Sequence, residues 1–119
     1  ELLAHLTKRG PVHVLSNGFA NLQSRKLKSG GIDKYITKLI LSDDIDVTKP
    51  DRRLFDYALE QVGGTPETTV MIGDNYDADI LGANNAGWHT IFFNRKNVVL
   101  ETNVADLTVT RLTDIIAWL

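Results

Sequence analysis

The strongest constraint on this chain is the run Val70-Met71-Ile72-Gly73-Asp74-Asn75-Tyr76-Asp77-Ala78-Asp79. Three consecutive apolar residues read as a short strand buried on both faces, because a half-buried strand alternates apolar with polar residues. The strand ends at Gly73, and three carboxylates, Asp74, Asp77 and Asp79, follow within six residues. Open α/β sheets bind their ligands at such C-terminal strand ends. Carboxylates this close repel one another unless a cation or a lysine neutralises them. A hard divalent ion such as Mg²⁺, held by one or two carboxylates with water and a phosphate, meets that need. A solvated acidic turn with Asp as a helix N-cap accounts for the same residues without a ligand.

The rest of the chain alternates strand and helix signals. Leu2, Leu3 and Leu6 have helical spacing over residues 1–9, with Lys8, Arg9 and Gly10 at the end, the pattern of a helix C-terminus. Pro11 breaks it, and Val12-His13-Val14-Leu15 is a β-type run that delivers Ser16-Asn17-Gly18 to its tip. A hydroxyl and free N–H groups there can hold an anion; an ordinary strand-to-helix turn has the same residues. His13, inside the strand, reads as a packed or edge histidine. A helix is expected from Phe19 to Ser29, a connector from Ile32 to Ile36, and a strand at Leu39-Ile40-Leu41-Ser42.

Lys49-Pro50-Asp51 then opens a helix over 51–62 with Leu54, Phe55, Ala58, Leu59 and Val62 on its apolar side, Pro50 being suited to a first turn. Lys49 is either solvated or, standing just past a strand tip, reaches the pocket formed by the other tips. Ile80 to Ala86 continues as a helix capped by Gly87, Thr90 to Phe93 is a buried strand, 95–103 a loop, Val104 to Val109 a short edge strand, and Leu112 to Leu119 a closing helix with Leu112, Ile115, Ile116 and Leu119 inward. Trp88 and Trp118 read as core anchors. His5 and His89 have no metal-site spacing. Strands at about 12–15, 38–41, 70–73 and 90–93 separated by helices imply right-handed βαβ units and a parallel sheet flanked by helices. Ser16-Asn17, Lys49 and Asp74/Asp79 then converge on one edge.

Composition narrows the classes. A chain of 119 residues, 43% hydrophobic and 24% charged, is one domain. A net charge of -2 with scattered Lys and Arg gives no nucleic-acid or anionic-membrane footprint. The absence of cysteine excludes thiolate chemistry and disulfides and fits a cytoplasmic protein. No apolar run approaches the roughly 20 residues of a membrane span.

Ser16-Asn17-Gly18, Lys49-Pro50-Asp51 and Gly73-Asp74-Asn75-Tyr76-Asp77-Ala78-Asp79, in this order and with the following Ile80-Leu81-Gly82-Ala83-Asn84-Asn85-Ala86-Gly87, resemble the second, third and fourth motifs of the haloacid dehalogenase-like (HAD) hydrolase superfamily. The resemblance covers nearly the whole chain. It implies a Rossmann-like α/β core, phosphoryl transfer through an aspartyl-phosphate and an Mg²⁺ cofactor, since Gly73-Asp74 is similar to the magnesium-dependent phosphatase form of the fourth motif. By the same resemblance Ser16 and the Asn17 N–H would hold the substrate phosphate, Lys49 would balance the charge of the nucleophile and the phosphoryl group, Asp74 would bind the metal, and Asp79 would bind it or orient Lys49. Asp77 is not required by the pattern.

The chain departs from the family in one large respect. The first motif, a strand ending in Asp-x-Asp-x-Thr that supplies the nucleophile, should precede Ser16, and only about fifteen residues do. Asp44-Ile45-Asp46-Val47-Thr48 imitates it but falls between the second and third motifs. The expectation is a partial HAD core over 1–119, missing its central nucleophile strand and its cap, from the C-terminal portion of a longer Mg²⁺-dependent phosphatase acting on a small phosphate monoester such as a nucleoside 5′-monophosphate. The chain alone is expected to be inactive, with the absent strand supplied by the missing N-terminal segment or across a homo-oligomer. The alternatives are a non-catalytic regulatory module that keeps a phosphate or Mg²⁺ site, and a phosphotransferase of the phosphosugar mutase type.

Overall fold

The computed structural model describes residues 2–17 and 35–118. The helix expected from Phe19 to Ser29 and most of the connector after it lie outside the described residues. Helix α1 (Leu2–Thr7) leads to β1 (His13–Ser16); β2 (Lys38–Leu41), α2 (Arg52–Val62), β3 (Val70–Gly73), α3 (Gly82–Asn85), β4 (His89–Phe93) and β5 (Leu107–Val109) follow, and a short 3₁₀ segment, Leu112–Ala117, comes last. Among the described residues all strand pairs are parallel, as the alternation predicts. They form two sheets, β1-β2 and β3-β4-β5. Val14 pairs with Leu39 in the first, and Met71 with Thr90 and Ile91 with Leu107 in the second. Among the described residues, no strand joins β1 to β3.

Side chains alternate faces along a strand, and β3 shows it. Met71 enters a core with Ile40, Leu54, Phe55, Ala58, Leu59, Ala83, Ala86 and Trp88, beneath α2 and α3. Its neighbour Ile72 packs on the opposite side against Ile91, Val109 and Ile115, beneath α1 and the 3₁₀ segment. The first core draws residues from both sheets, Leu15 and Ile40 from one and Met71 from the other. Phe55 and Trp88 meet edge to face at 5.2 Å, so Trp88 is the core anchor expected of it.

Local chemistry accounts for the helix ends. The Asp51 carboxylate accepts from the Arg53 N–H at 2.9 Å as the N-cap of α2. Gly63, with φ of 68°, closes α2 in the left-handed conformation that glycine adopts without a Cβ clash. Pro50 therefore stands just before the N-cap rather than in the first turn, joined to Lys49 by a cis peptide bond.

Several further expectations are corrected. Trp118 is 68% exposed and Leu112 is exposed as well; of residues 112–118 only Ile115 is fully buried, and Leu119 lies outside the described residues. The segment is six residues of 3₁₀ helix lying against the six-residue α1, too short a partner to cover its ends. Val70 is exposed, so β3 is fully buried only at Met71. The edge strand shrinks to three residues, Leu107–Val109. The helix expected to begin at Ile80 begins earlier, as a wide π-type turn over Tyr76–Leu81 that passes into α3.

Candidate active site

The tips of β1 and β3 meet through one side chain. The Lys49 ammonium donates to Asp79 Oδ1 at 2.6 Å and to the Leu15 carbonyl of β1 at 3.1 Å. Both side chains are about nine-tenths buried. Lys49 thus links the two sheets at their C-terminal ends. A buried ion pair is tolerated only where its geometry is good and the remaining polar atoms are satisfied. Here Asp79 Oδ2 also accepts from the Asn75 N–H at 3.3 Å.

Asp79 reaches this place because of its turn. Its own N–H donates to the Asn75 carbonyl at 2.8 Å, and the Asn75 side chain caps the Ala78 N–H at 3.0 Å. The wide turn folds the Asp79 side chain back over the end of β3. A Cβ on Gly73 would stand 2.4 Å from Asp79 Oδ2. Glycine is needed there for room.

Lys49 is positioned by its backbone too. Asn17 Oδ1 accepts from the Lys49 N–H at 2.9 Å, and Asn17 Nδ2 makes a longer contact, 3.5 Å, with the Lys49 carbonyl. The resemblance gives Asn17 a role through its backbone N–H; its side chain as a clamp on Lys49 is a role that sequence reasoning missed. Ser16 ends β1 beside it.

Asp74 stands apart from the pair. Its carboxylate is half exposed and lies 3.5 Å from the Arg95 guanidinium. Asp77 is exposed. Among the described residues, no three His, Cys, Asp or Glu side chains come together to hold a metal ion. The donors present still suit Mg²⁺, which takes hard oxygen ligands and needs only one or two protein carboxylates when water and phosphate complete its shell. Asp74 is the open donor, whereas Asp79 Oδ1 is taken by Lys49.

The arrangement brings together four of the expected residues, Ser16, Asn17, Lys49 and Asp79, and leaves Asp74 facing solvent and Arg95. Arg95 was not foreseen. The signal was available, since Asn94-Arg95-Lys96 follows the strand Thr90–Phe93 in sequence and shares the C-terminal tips with the other clusters.

Residues 1–87 match the family model described as haloacid dehalogenase-like hydrolase. The pyrimidine 5′-nucleotidase YjjG of Escherichia coli is 38% identical over 94 residues, 78% of this chain and 42% of that protein. The glyceraldehyde 3-phosphate phosphatase of Methanothermobacter thermautotrophicus is 38% identical over 101 residues, 81% of this chain and 45% of that protein. The crystal structure of the HAD-hydrolase YfnB from Bacillus subtilis, bound to magnesium, superposes with a TM-score of 0.90 at 24% identity, covering 98% of this chain and 51% of that one; at that identity it shows the shared fold. The chain spans less than half the length of the curated relatives it matches.

Proposed function

Because the chain belongs to the haloacid dehalogenase-like hydrolase family, we propose that it carries the lysine-aspartate half of a phosphatase site, in a protein that hydrolyses a small phosphate monoester. The observation that carries this reading is the Lys49 ammonium, set between the tips of β1 and β3 and held there by Asp79 and the Leu15 carbonyl. A fixed cation in a water-poor setting stabilises developing negative charge more than a mobile one does.

The nucleophilic carboxylate comes from chain outside these 119 residues, on a strand seated between β1 and β3. Two observations support this: the strands split into two parallel sheets at that point, and the family relatives are more than twice as long as the matched portion. That carboxylate attacks phosphorus as the ester's P–O bond breaks, and the leaving alkoxide takes a proton from water to depart as the alcohol. Water then cleaves the aspartyl-phosphate to inorganic phosphate and free carboxylate. Lys49 balances the charge in both steps. The Ser16 hydroxyl and the Asn17 N–H donate to phosphate oxygens, and the Asn17 side chain holds Lys49 in register.

Mg²⁺ would be held by Asp74 with the substrate phosphate, and when bound it would neutralise the phosphate oxygens. Asp79 serves chiefly to orient Lys49. YfnB, of the same fold, was crystallised with magnesium, and the oxygen donor of Asp74 suits that ion. The two named relatives act on a pyrimidine nucleotide and on a triose phosphate, so a nucleoside 5′-monophosphate and a sugar phosphate are the first substrates to try. Cysteine-free composition fits a reducing cytoplasm. The test is turnover by the full-length protein with Mg²⁺ on a panel of phosphate monoesters. Release of inorganic phosphate that is lost in Lys49→Ala supports the reading; no release from any ester contradicts it.

A further inference from the structure

The C-terminal end of β4 opens onto a cavity of about 410 Å³, lined by Asp74, Tyr76, Phe93, Asn94, Arg95 and Lys96. Its cationic wall is built to hold its shape. Buried Asn94 grips Val98 with both ends of its amide, Nδ2 donating to the Val98 carbonyl and Oδ1 accepting from the Val98 N–H, each at 2.9 Å. The Asn97 N–H closes the turn onto the Asn94 carbonyl at 3.1 Å, with Asn97 in the left-handed conformation at φ of 52°. Arg95 and Lys96 are the residues this turn presents.

Tyr76, also in the lining, is pinned too. The Tyr76 hydroxyl donates to the Thr102 carbonyl at 3.1 Å and accepts from the Val104 N–H at 2.9 Å, and its ring meets Phe92 at 5.3 Å. The ion pair between Arg95 and Asp74, 3.5 Å apart with both side chains about half exposed, is of a kind worth little in water. Arg95 can turn to a better anion at small cost. A guanidinium presents paired donors that match the oxygens of a carboxylate or a phosphate.

Resting on the phosphatase reading, we infer that this cavity receives the part of the substrate beyond the phosphoryl group, and that Arg95 with Lys96 binds a second anionic group there. The preferred substrates are then phosphate esters that carry a second phosphate or a carboxylate. The cavity is lined by Asp74, the residue that would hold Mg²⁺ beside the substrate phosphate, and this shared residue is what joins the cavity to the proposed site.

The experiment compares fructose 1,6-bisphosphate with fructose 6-phosphate on the full-length protein and on its Arg95→Gln/Lys96→Gln variant. Loss of a charge-assisted contact predicts a fall of about ten- to a hundredfold in kcat/KM for the bisphosphate, through KM. Fructose 6-phosphate should be little affected, and Arg95→Lys should recover part of the loss. An equal fall on both sugars, or none on either, overturns the inference. If wild type turns over neither sugar, calorimetry decides the subsite, and the phosphatase reading is judged separately on the wider panel of esters. Tighter binding of the bisphosphate that is lost in the double variant supports it, and equal binding of the two sugars overturns it.

Discussion

Lys49 Nζ lies 2.6 Å from Asp79 Oδ1, and the same ammonium reaches the Leu15 carbonyl at 3.1 Å. One residue from the turn before α2 therefore ties the tip of β1 to the turn after β3. The contact is at once a structural link between two sheets and the charged centre of the proposed site.

Removing one partner of this pair strands the other. Lys49→Met leaves the Asp79 carboxylate buried without its cation, a change that typically costs about 3–5 kcal/mol. Lys49→Met/Asp79→Leu should recover much of that loss, because an apolar pair of similar volume leaves no buried charge. Urea unfolding of the three proteins measures it. A single variant within about 1 kcal/mol of wild type would show that the pair is not buried as described.

Asn17→Ala removes the clamp on the Lys49 backbone while leaving the Lys49–Asp79 contact in place. Small misplacements of a catalytic group can cost as much as a hundredfold in rate. The full-length protein should lose about ten- to a hundredfold in kcat with its unfolding midpoint nearly unchanged. Asn17→Asp, which keeps the Oδ1 acceptor, should lose less.

Gly73→Ala puts a methyl group 2.4–2.6 Å from the Asp79 carboxylate and its Cβ. The turn over Tyr76–Leu81 must shift, at about 1–3 kcal/mol by analogy with overpacked cores, and Asp79 must leave Lys49. Activity should fall with stability in this variant. A crystal structure of Gly73→Ala with the 2.6 Å contact intact would refute the argument.

Two groups give the protein a pH dependence with a definite sign. Burial, helped by the nearby Lys38 charge, pushes His13 below its ordinary value of 6.5. The folded protein then binds fewer protons than the unfolded chain, so stability is full above pH 6.5 and declines as pH falls below it. The Arg53 side chain, and then the Arg53 backbone N–H, hold the Asp51 carboxyl down to about 2 from 3.8. Its contribution is present above pH 3.8 and disappears as pH falls toward 2. Unfolding midpoints from pH 8 to pH 2 should show both declines, and His13→Gln should abolish the first.

The strands and the second helix were legible because their signals are local. Val14-Leu15, Leu39-Ile40-Leu41 and Ile91-Phe92-Phe93 are β-type apolar runs, and Asp51 and Gly63 mark the ends of α2 by chemistry that needs no tertiary partner. Lys49 and Asp79 were legible through the order of the motifs. Trp118 was misjudged because burial depends on what lies opposite, and a six-residue α1 covers little. The wide turn at Tyr76 answers to the contact between Gly73 and Asp79, which no periodicity encodes. The Asn17 clamp joins residues 32 apart in sequence, and Arg95 becomes notable only beside Asp74.

The most direct test adds the segment proposed to carry the nucleophile. Phosphate release with Mg²⁺ is measured for residues 1–119 alone, for the full-length protein, and for the 119-residue chain mixed with the separately produced N-terminal remainder. The expected result is no turnover by the chain alone, turnover by the full-length protein, and its loss in Lys49→Ala. Turnover by the 119-residue chain alone that survives Lys49→Ala, or none by the full-length protein on any phosphate ester, would contradict it.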